Sequence, residues 1–160
     1  MKERRVNALE NGTVIDHLPP DSVLKVAQIL DLETYEKVVI IGMNFTSKKF
    51  GTKDILKIED RYLSKDEADK LALIATGATI CLIKNWKVVE KIQVEIPDFV
   101  TGIKCANPRC ITRHDPIKTK FEVINKDYLK VRCHYCEHVF EKDDVIKNIW
   151  GIGKKWEKIF

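Results

Sequence analysis

Two hydrophobic periods alternate through about the first ninety residues, and their order predicts the architecture. Arg5 to Leu9 and its continuation Gly12 to His17 read as strand, after which Pro19-Pro20-Asp21 opens a helix carrying Val23, Leu24, Ala27 and Leu30. Val38-Val39-Ile40-Ile41 is a continuous apolar run, the pattern of a buried central strand, whereas Lys53 to Glu59 alternates as a half-buried one. Ser47 to Gly51 supplies the turn between them. Ser64 and Glu67 have capping-box spacing and start a second helix through Ala68, Leu71, Ala72 and Ala75, which Gly77 ends. Ala78 to Ile83 and Trp86 to Val94 close the pattern with strands.

This βαββαβ order predicts an α+β fold with two helices on one face of a largely antiparallel sheet, the ferredoxin-like arrangement. Pro97 and the stretch after it break the pattern, dividing the chain into 1–97 and a small all-β module, 98–160, that ends in a tail, 146–160.

Of the 160 residues, 44% are hydrophobic and 32% charged, which excludes disordered and fibrous classes. No apolar run reaches the length of a membrane span. Met1-Lys2-Glu3-Arg4-Arg5 leads into strand rather than an apolar signal core, so the expected compartment is the reducing cytoplasm. Clustered cysteines there read as metal ligands before disulfides. The formal charge of +4 falls by about two once four thiolates hold a divalent ion, which is no footprint for nucleic acid.

Cys105-Ala-Asn-Pro-Arg-Cys110 and Cys133-His-Tyr-Cys136 are two knuckle turns flanking a predicted β-ribbon of about twenty residues. Four such thiolates suit one tetrahedral zinc ion, which would hold together a module too small to bury a core. Iron on the same sulfurs, or reduced cysteines merely packed, are the other readings. His114, His134 and His138 read as surface residues because four thiolates already fill a tetrahedron. A closed site leaves no position for a reacting water, so the metal points to structure or docking rather than hydrolysis.

Lys53, Ile55 and Lys57 fall two apart and share one strand face, with Lys91 on the last strand able to join them. Such lysines either converge on a chain of phosphates or are solvated decoration. Asp16-His17 at a strand end either meets a ribose or phosphate or bonds locally. Neither a G-x-G-x-x-G nor a Walker loop is present, so a nucleotide would be a ligand and not a hydrolysed substrate. Cys81, in an apolar strand, reads as packing rather than as a nucleophile.

Gly12-Thr-Val-Ile-Asp-His-Leu-Pro19, Gly51 to Glu59, Leu71-Ala-Leu and the two knuckles together resemble the aspartate carbamoyltransferase regulatory chain, in order and spacing, from about Val6 to Val145. The resemblance implies a non-catalytic subunit of the first committed step of pyrimidine biosynthesis. Its N-terminal domain would bind ATP as activator and CTP, sometimes with UTP, as inhibitor, with Mg2+ as a potential companion. Its zinc domain would grip the catalytic chain, in a complex of two catalytic trimers and three regulatory dimers.

By position in the matching blocks, Lys53, Lys57 and Lys91 would contact the triphosphate, with Ile55 between two of them, Asp16 the ribose and His17 the phosphate region. Val6, Asn7, Ala8 and Leu9, with the stretch holding Ile83, Trp86 and Val88, would meet base and sugar. Asn107, Tyr135 and Glu137 would face the catalytic chain. Asn7, Cys81 and Trp86 depart from the family's acidic residue, asparagine and tyrosine, which leaves the nucleotide preference open. The tail carries Trp150, Trp156 and Phe160 among lysines, suited to packing on a neighbouring chain rather than a membrane surface. The alternative class is a zinc-ribbon nucleic-acid binder using Arg109, Arg113, Lys118 and Lys120, residues that are not strongly clustered.

Overall fold

The computed structural model describes residues 8–48 and 51–149. In the N-terminal part, β1 (Gly12–Leu18), α1 (Val23–Ile29), β2 (Val39–Ser47), β3 (Gly51–Glu59), α2 (Lys65–Ile74), β4 (Thr79–Lys84) and β5 (Lys87–Gln93) follow one another. The strands form an antiparallel sheet in the order β2-β3-β1-β4-β5, with both helices packed on one side. The first four strands stand in the expected ferredoxin-like order, and β5 extends the sheet as a hairpin partner of β4.

The alternation in β3 is what orients the sheet. Asp54, Leu56 and Ile58 are buried toward the helices, so Lys53, Ile55 and Lys57 must point the other way. Thr13 and Ile15 of β1 are buried on the helix side too, and a bulge after Ile15, where His17 takes φ 55°, restores Leu18 to that side opposite Asp54. Each fully buried Leu, Ile or Val here contributes about 1.5–3 kcal/mol. Gly12 is required where it stands: φ is +140°, and a Cβ would lie 2.1 Å from the carbonyl oxygen of Ile58.

Helix α1 has no side-chain cap at Ser22. Instead the buried carboxylate of Asp54 reaches across from β3 to accept from the Val23 N–H at 3.4 Å, and from the Asn44 N–H of β2 at 3.2 Å. In α2, Ser64 Oγ accepts from the Glu67 N–H at 3.2 Å, as the capping-box spacing predicts. The return arm is missing because Glu67 pairs with Arg61 at 3.2 Å, and Arg61 also donates to the Leu30 carbonyl at 2.7 Å, tying the end of α1 to the start of α2.

Several expectations are corrected. Val38 to Ile41 does not enter a central strand: β2 is the sheet's edge, with Val38 and Ile41 exposed. An apolar run reports burial demand on both faces but not how many neighbours a strand has. Of the proposed first strand Arg5 to Leu9, residues 5–7 lie outside the described residues, and Ala8 and Leu9 are irregular. Leu24 is exposed on α1 instead of lining the core.

Downstream, β6 (Phe99–Thr101), β7 (Lys120–Asn125), β8 (Lys130–Cys133) and β9 (Val139–Glu141) form a second antiparallel sheet in chain order. A short helix, α3 (Lys142–Lys147), follows, where the pattern predicted strands and tail alone. It buries Val145 on the α2 side, which a six-residue segment is too short to announce by period. One apolar cluster runs from Leu73 and Ala75 through Val94, Ile96, Val100 and Ile103 to Val145 and Ile149, so a continuous core joins the two sheets through α2. Among the described residues, no helix is long and apolar enough to cross a membrane.

Candidate functional site

The face of the first sheet opposite the helices carries most of the singled-out residues. Cross-strand register sets Lys57, Val14, Cys81 and Lys91 side by side on β3, β1, β4 and β5. Strand spacing then separates the two lysine backbones by roughly 14 Å, and Lys53 stands about 13 Å along β3 from Lys57. Between them lies an apolar floor of Leu9, Cys81 and Ile83, each nearly buried, with Val14 packed against it. Sequence reasoning missed Val14, although its two-residue offset from Asp16 marks the shared face.

Asp16 edges this floor. Its carboxylate binds Lys53 Nζ at 2.8 Å and accepts from the His17 N–H at 2.6 Å. Burial opposes its ionisation, but the Lys53 ammonium and the His17 N–H outweigh burial and hold Asp16 below the usual carboxylate range. The His17 ring meets Thr79 Oγ1 at 3.3 Å, so the bulge that realigns Leu18 also aims His17 along the sheet toward β4. Burial pushes the Cys81 thiol up, with the nearby Lys91 ammonium acting against it, so Cys81 is a neutral floor residue and not a thiolate.

The hairpin of β4 and β5 closes one end. Asn85 and Trp86 take φ 50° and 68°, a two-residue turn whose positive φ values match the twist of the flanking strands. The Trp86 N–H donates to the Glu10 carbonyl at 2.9 Å and the Asn85 N–H to Asn11 Oδ1 at 3.2 Å, which ties the turn to the segment leading into β1. A tryptophan at left-handed φ is uncommon, and this one is 63% exposed, a large ring presented to solvent where glycine would relieve the backbone. Val88 is also exposed and Ala8 lies at the surface, while Val6 and Asn7 fall outside the described residues. Ile55 and Lys57 are half-buried on the open face.

The second candidate centre is built from both knuckles. Cys105, Cys110, Cys133 and Cys136 bring their sulfurs within 4.8 Å of one another. Cys105 Sγ lies 3.7 Å from Cys136 Sγ, and Cys110 Sγ 3.8 Å from Cys133 Sγ. Four sulfurs at about 2.3 Å around one ion form a tetrahedron with edges of about 3.8 Å, so the donor set fits a single metal. Burial pushes the Cys105 and Cys133 thiols up. Burial also opposes ionisation of Cys136, but the Asn107 amide and the His138 N–H overcome it and bring that thiol down to about 6. Backbone N–H groups of Asn107, Tyr135, Cys136 and His138 aim at the sulfurs, the outer arrangement that favours thiolate ligands.

Among the described residues the metal-ready group contains the four cysteines and no histidine. His114 meets the Pro108 carbonyl at 2.9 Å, and His138 lies 3.3 Å from Asn107 Nδ2. Asn107 caps its own knuckle, its Oδ1 accepting from the N–H of Arg109 two residues on at 3.1 Å. Tyr135 and Glu137 are exposed on the other knuckle, Glu137 at φ 62°. The three therefore share the knuckle tips, with Asn107 also linking the two knuckles through His138.

Comparison with known proteins follows the same division. A family model described as the aspartate carbamoyltransferase regulatory chain, allosteric domain, matches residues 4–95, and one described as the metal binding domain of the same chain matches residues 95–146. The aspartate carbamoyltransferase regulatory chain of Pyrococcus abyssi is 49% identical over 152 residues, covering 93% of this chain and 100% of the relative. That of Thermococcus sibiricus is 49% identical over 150 residues, covering 93% and 99%. A more distant source, Parabacteroides distasonis, gives 44% identity over 146 residues, covering 91% and 95%.

Proposed function

The chain belongs to the aspartate carbamoyltransferase regulatory chain family, and from that premise we propose that its open sheet face binds a nucleoside triphosphate while its cysteine ribbon, built on one zinc ion, grips the catalytic chain. It is a non-catalytic subunit with an allosteric and a metal-binding domain. The observation that carries the nucleotide reading is an apolar floor of Leu9, Val14, Cys81 and Ile83 set among Lys53, Lys57 and Lys91. Flat apolar surface takes a base, and separated ammonium groups take a string of phosphates.

In this reading the phosphates lie along Lys53, Lys57 and Lys91 with His17 at their edge, and Asp16 meets the ribose. Base and sugar sit at the hairpin end, near Ala8, Leu9, Ile83, Trp86 and Val88, with Val6 and Asn7 leading in. CTP, ATP and UTP are the candidate effectors, with or without Mg2+. An effector acts through unequal affinity for two arrangements of the complex, since equal affinity would shift nothing. Residues 1–97 carry this function and 98–160 the docking, in the cytoplasm.

The four thiolates would hold zinc, which supplies rigidity and no reactive water because no coordination position stays open. Rigid knuckle loops then present Tyr135 and Glu137 to the catalytic chain, with Asn107 bracing them. Pairing of two such chains through the open apolar edge of β2, where Val38, Ile41 and Met43 are exposed, yields the regulatory dimer. Three of these dimers join two catalytic trimers.

The test has two arms. Calorimetric titration of the zinc-loaded chain with CTP, ATP and UTP, with and without Mg2+, should give saturable binding for at least one. With the catalytic chain reconstituted, the same nucleotide should shift the aspartate dependence of carbamoylaspartate formation. No heat and no shift with any of the three would overturn the assignment.

A further inference from the structure

The turn that follows the first knuckle folds back over its own ligands. It is a single 3-10 turn, Ile111–Arg113, in which the Arg113 N–H donates to the Cys110 carbonyl at 2.9 Å and the His114 N–H to that of Ile111 at 3.1 Å. Two side chains of this turn reach the cysteines. The Arg113 guanidinium donates to the Cys105 carbonyl at 2.9 Å, bracing the other ligand of the same knuckle. Thr112 Oγ1 lies 3.1 Å from Cys110 Sγ.

Resting on the assignment of this centre to zinc, we propose that Thr112 is a positioning residue for it, whose hydroxyl donates to the Cys110 thiolate and slows the release of that ligand from the ion. A metal-bound thiolate has no proton to give, so in the loaded site the hydroxyl must be the donor. Four thiolates around a divalent ion leave a net charge of about −2. Each donor aimed at a sulfur reduces what that sulfur offers to an arriving proton or chelator. Cys105 and Cys133 draw on the backbone N–H groups two residues on, those of Asn107 and Tyr135, and Cys136 on the His138 N–H and the Asn107 amide. For Cys110 the residue two positions on is Thr112, and it answers with a hydroxyl.

The position of Thr112 gives that contact its importance. Thr112 and Cys105 line a cavity of about 170 Å³, with Lys104, Lys118 and Thr119 around it. Cys110 itself is only 1% exposed, so this cavity brings solvent to the side of the centre on which Thr112 stands. The two lysines would draw in anionic competitors for the metal. A ribbon that depends on its ion keeps its docking loops only while every ligand stays bound.

In the full, zinc-loaded chain, Thr112→Val keeps the shape of the side chain and removes the hydroxyl. Zinc transfer to a chromogenic chelator should then be about tenfold faster than in the natural protein. Thr112→Ala, which asks for no extra room, carries the same expectation, and Thr112→Ser should restore the natural rate. With cobalt(II) in place of zinc, the sulfur-to-metal charge-transfer band should move to longer wavelength in Thr112→Val and return in Thr112→Ser. Thr119→Val is the control: its hydroxyl adjoins the same cavity but donates to the Ile103 carbonyl at 2.6 Å, so its loss should change neither rate nor band. Natural release rates in both Thr112→Val and Thr112→Ala overturn the proposal. So does equal acceleration by Thr119→Val, and so does a serine variant as fast as the valine one. A natural chain that holds no zinc on metal analysis overturns the assignment of the centre, and the proposal with it.

Discussion

Lys57 and Asp16 do different work on the proposed nucleotide face. Lys57 stands on β3 opposite Val14, with the floor on one side and Lys53 further along the strand. Lys57→Ala should lower triphosphate affinity about tenfold, the loss of one charge-assisted contact of about 1.4 kcal/mol. Assembly with the catalytic chain should be unchanged, as parallel titration and gel filtration would reveal. Asp16 is held below its ordinary value of 3.8, so it contributes stability that is complete above that value and is lost as pH falls through the depressed one. Denaturant midpoints taken from pH 5 downward should therefore fall more steeply in the natural protein than in Asp16→Asn. Equal slopes would show that the pair with Lys53 adds nothing to folding. The four cysteines were the most legible residues of the chain, because paired spacing and a shared ion over-determine one another. Asn107 was not: its sequence position suggested docking, and only the contact with His138, distant in the chain, discloses that it also links the two knuckles.

Elements were legible in proportion to how strongly one face is buried. The alternation of β3 was readable because its inner face is fully covered, and Ser64 announced α2 through a cap that does form. The edge position of β2 was hidden, since register between strands is set by partners distant in the chain, and the bulge at His17 has no compositional mark. Asp54 shows how such distant partners act. As an acid at an inward strand position it looks misplaced, yet it satisfies the first N–H of α1 and an N–H of β2 at once. Asp54→Ala should destabilise the chain by about 2–3 kcal/mol through the two donors left unmatched. Hydrogen exchange should rise first at Val23 and Asn44. A loss spread evenly over the sheet would count against this account.

At the scale of the molecule, the continuous cluster through α2 makes the two halves interdependent. Cys133→Ser should release the metal and unravel β7 and β8, which share register through Phe121 and Cys133. The damage should also spread into α2, because that helix would lose its neighbours in β6 and α3. Metal analysis should read close to zero, binding to the catalytic chain should vanish, and the thermal midpoint of the remaining sheet should drop. A ribbon lost with no change in that midpoint would mean that the shared core adds little. Pro97 marks an expected boundary in the sequence, whereas the apolar seam leaves no local mark, since it is assembled from residues scattered along the chain.

The bond between Lys53 and Asp16 carries a further consequence for what the chain can sense. On the proposed nucleotide face, a cation that already pairs with a carboxylate would turn ligand arrival into an exchange, in which incoming phosphate displaces Asp16. Densely charged nucleotides would win such an exchange and sparsely charged ones lose it. The chain would then gauge how fully phosphorylated the cell's nucleotide pool is, besides which bases it contains.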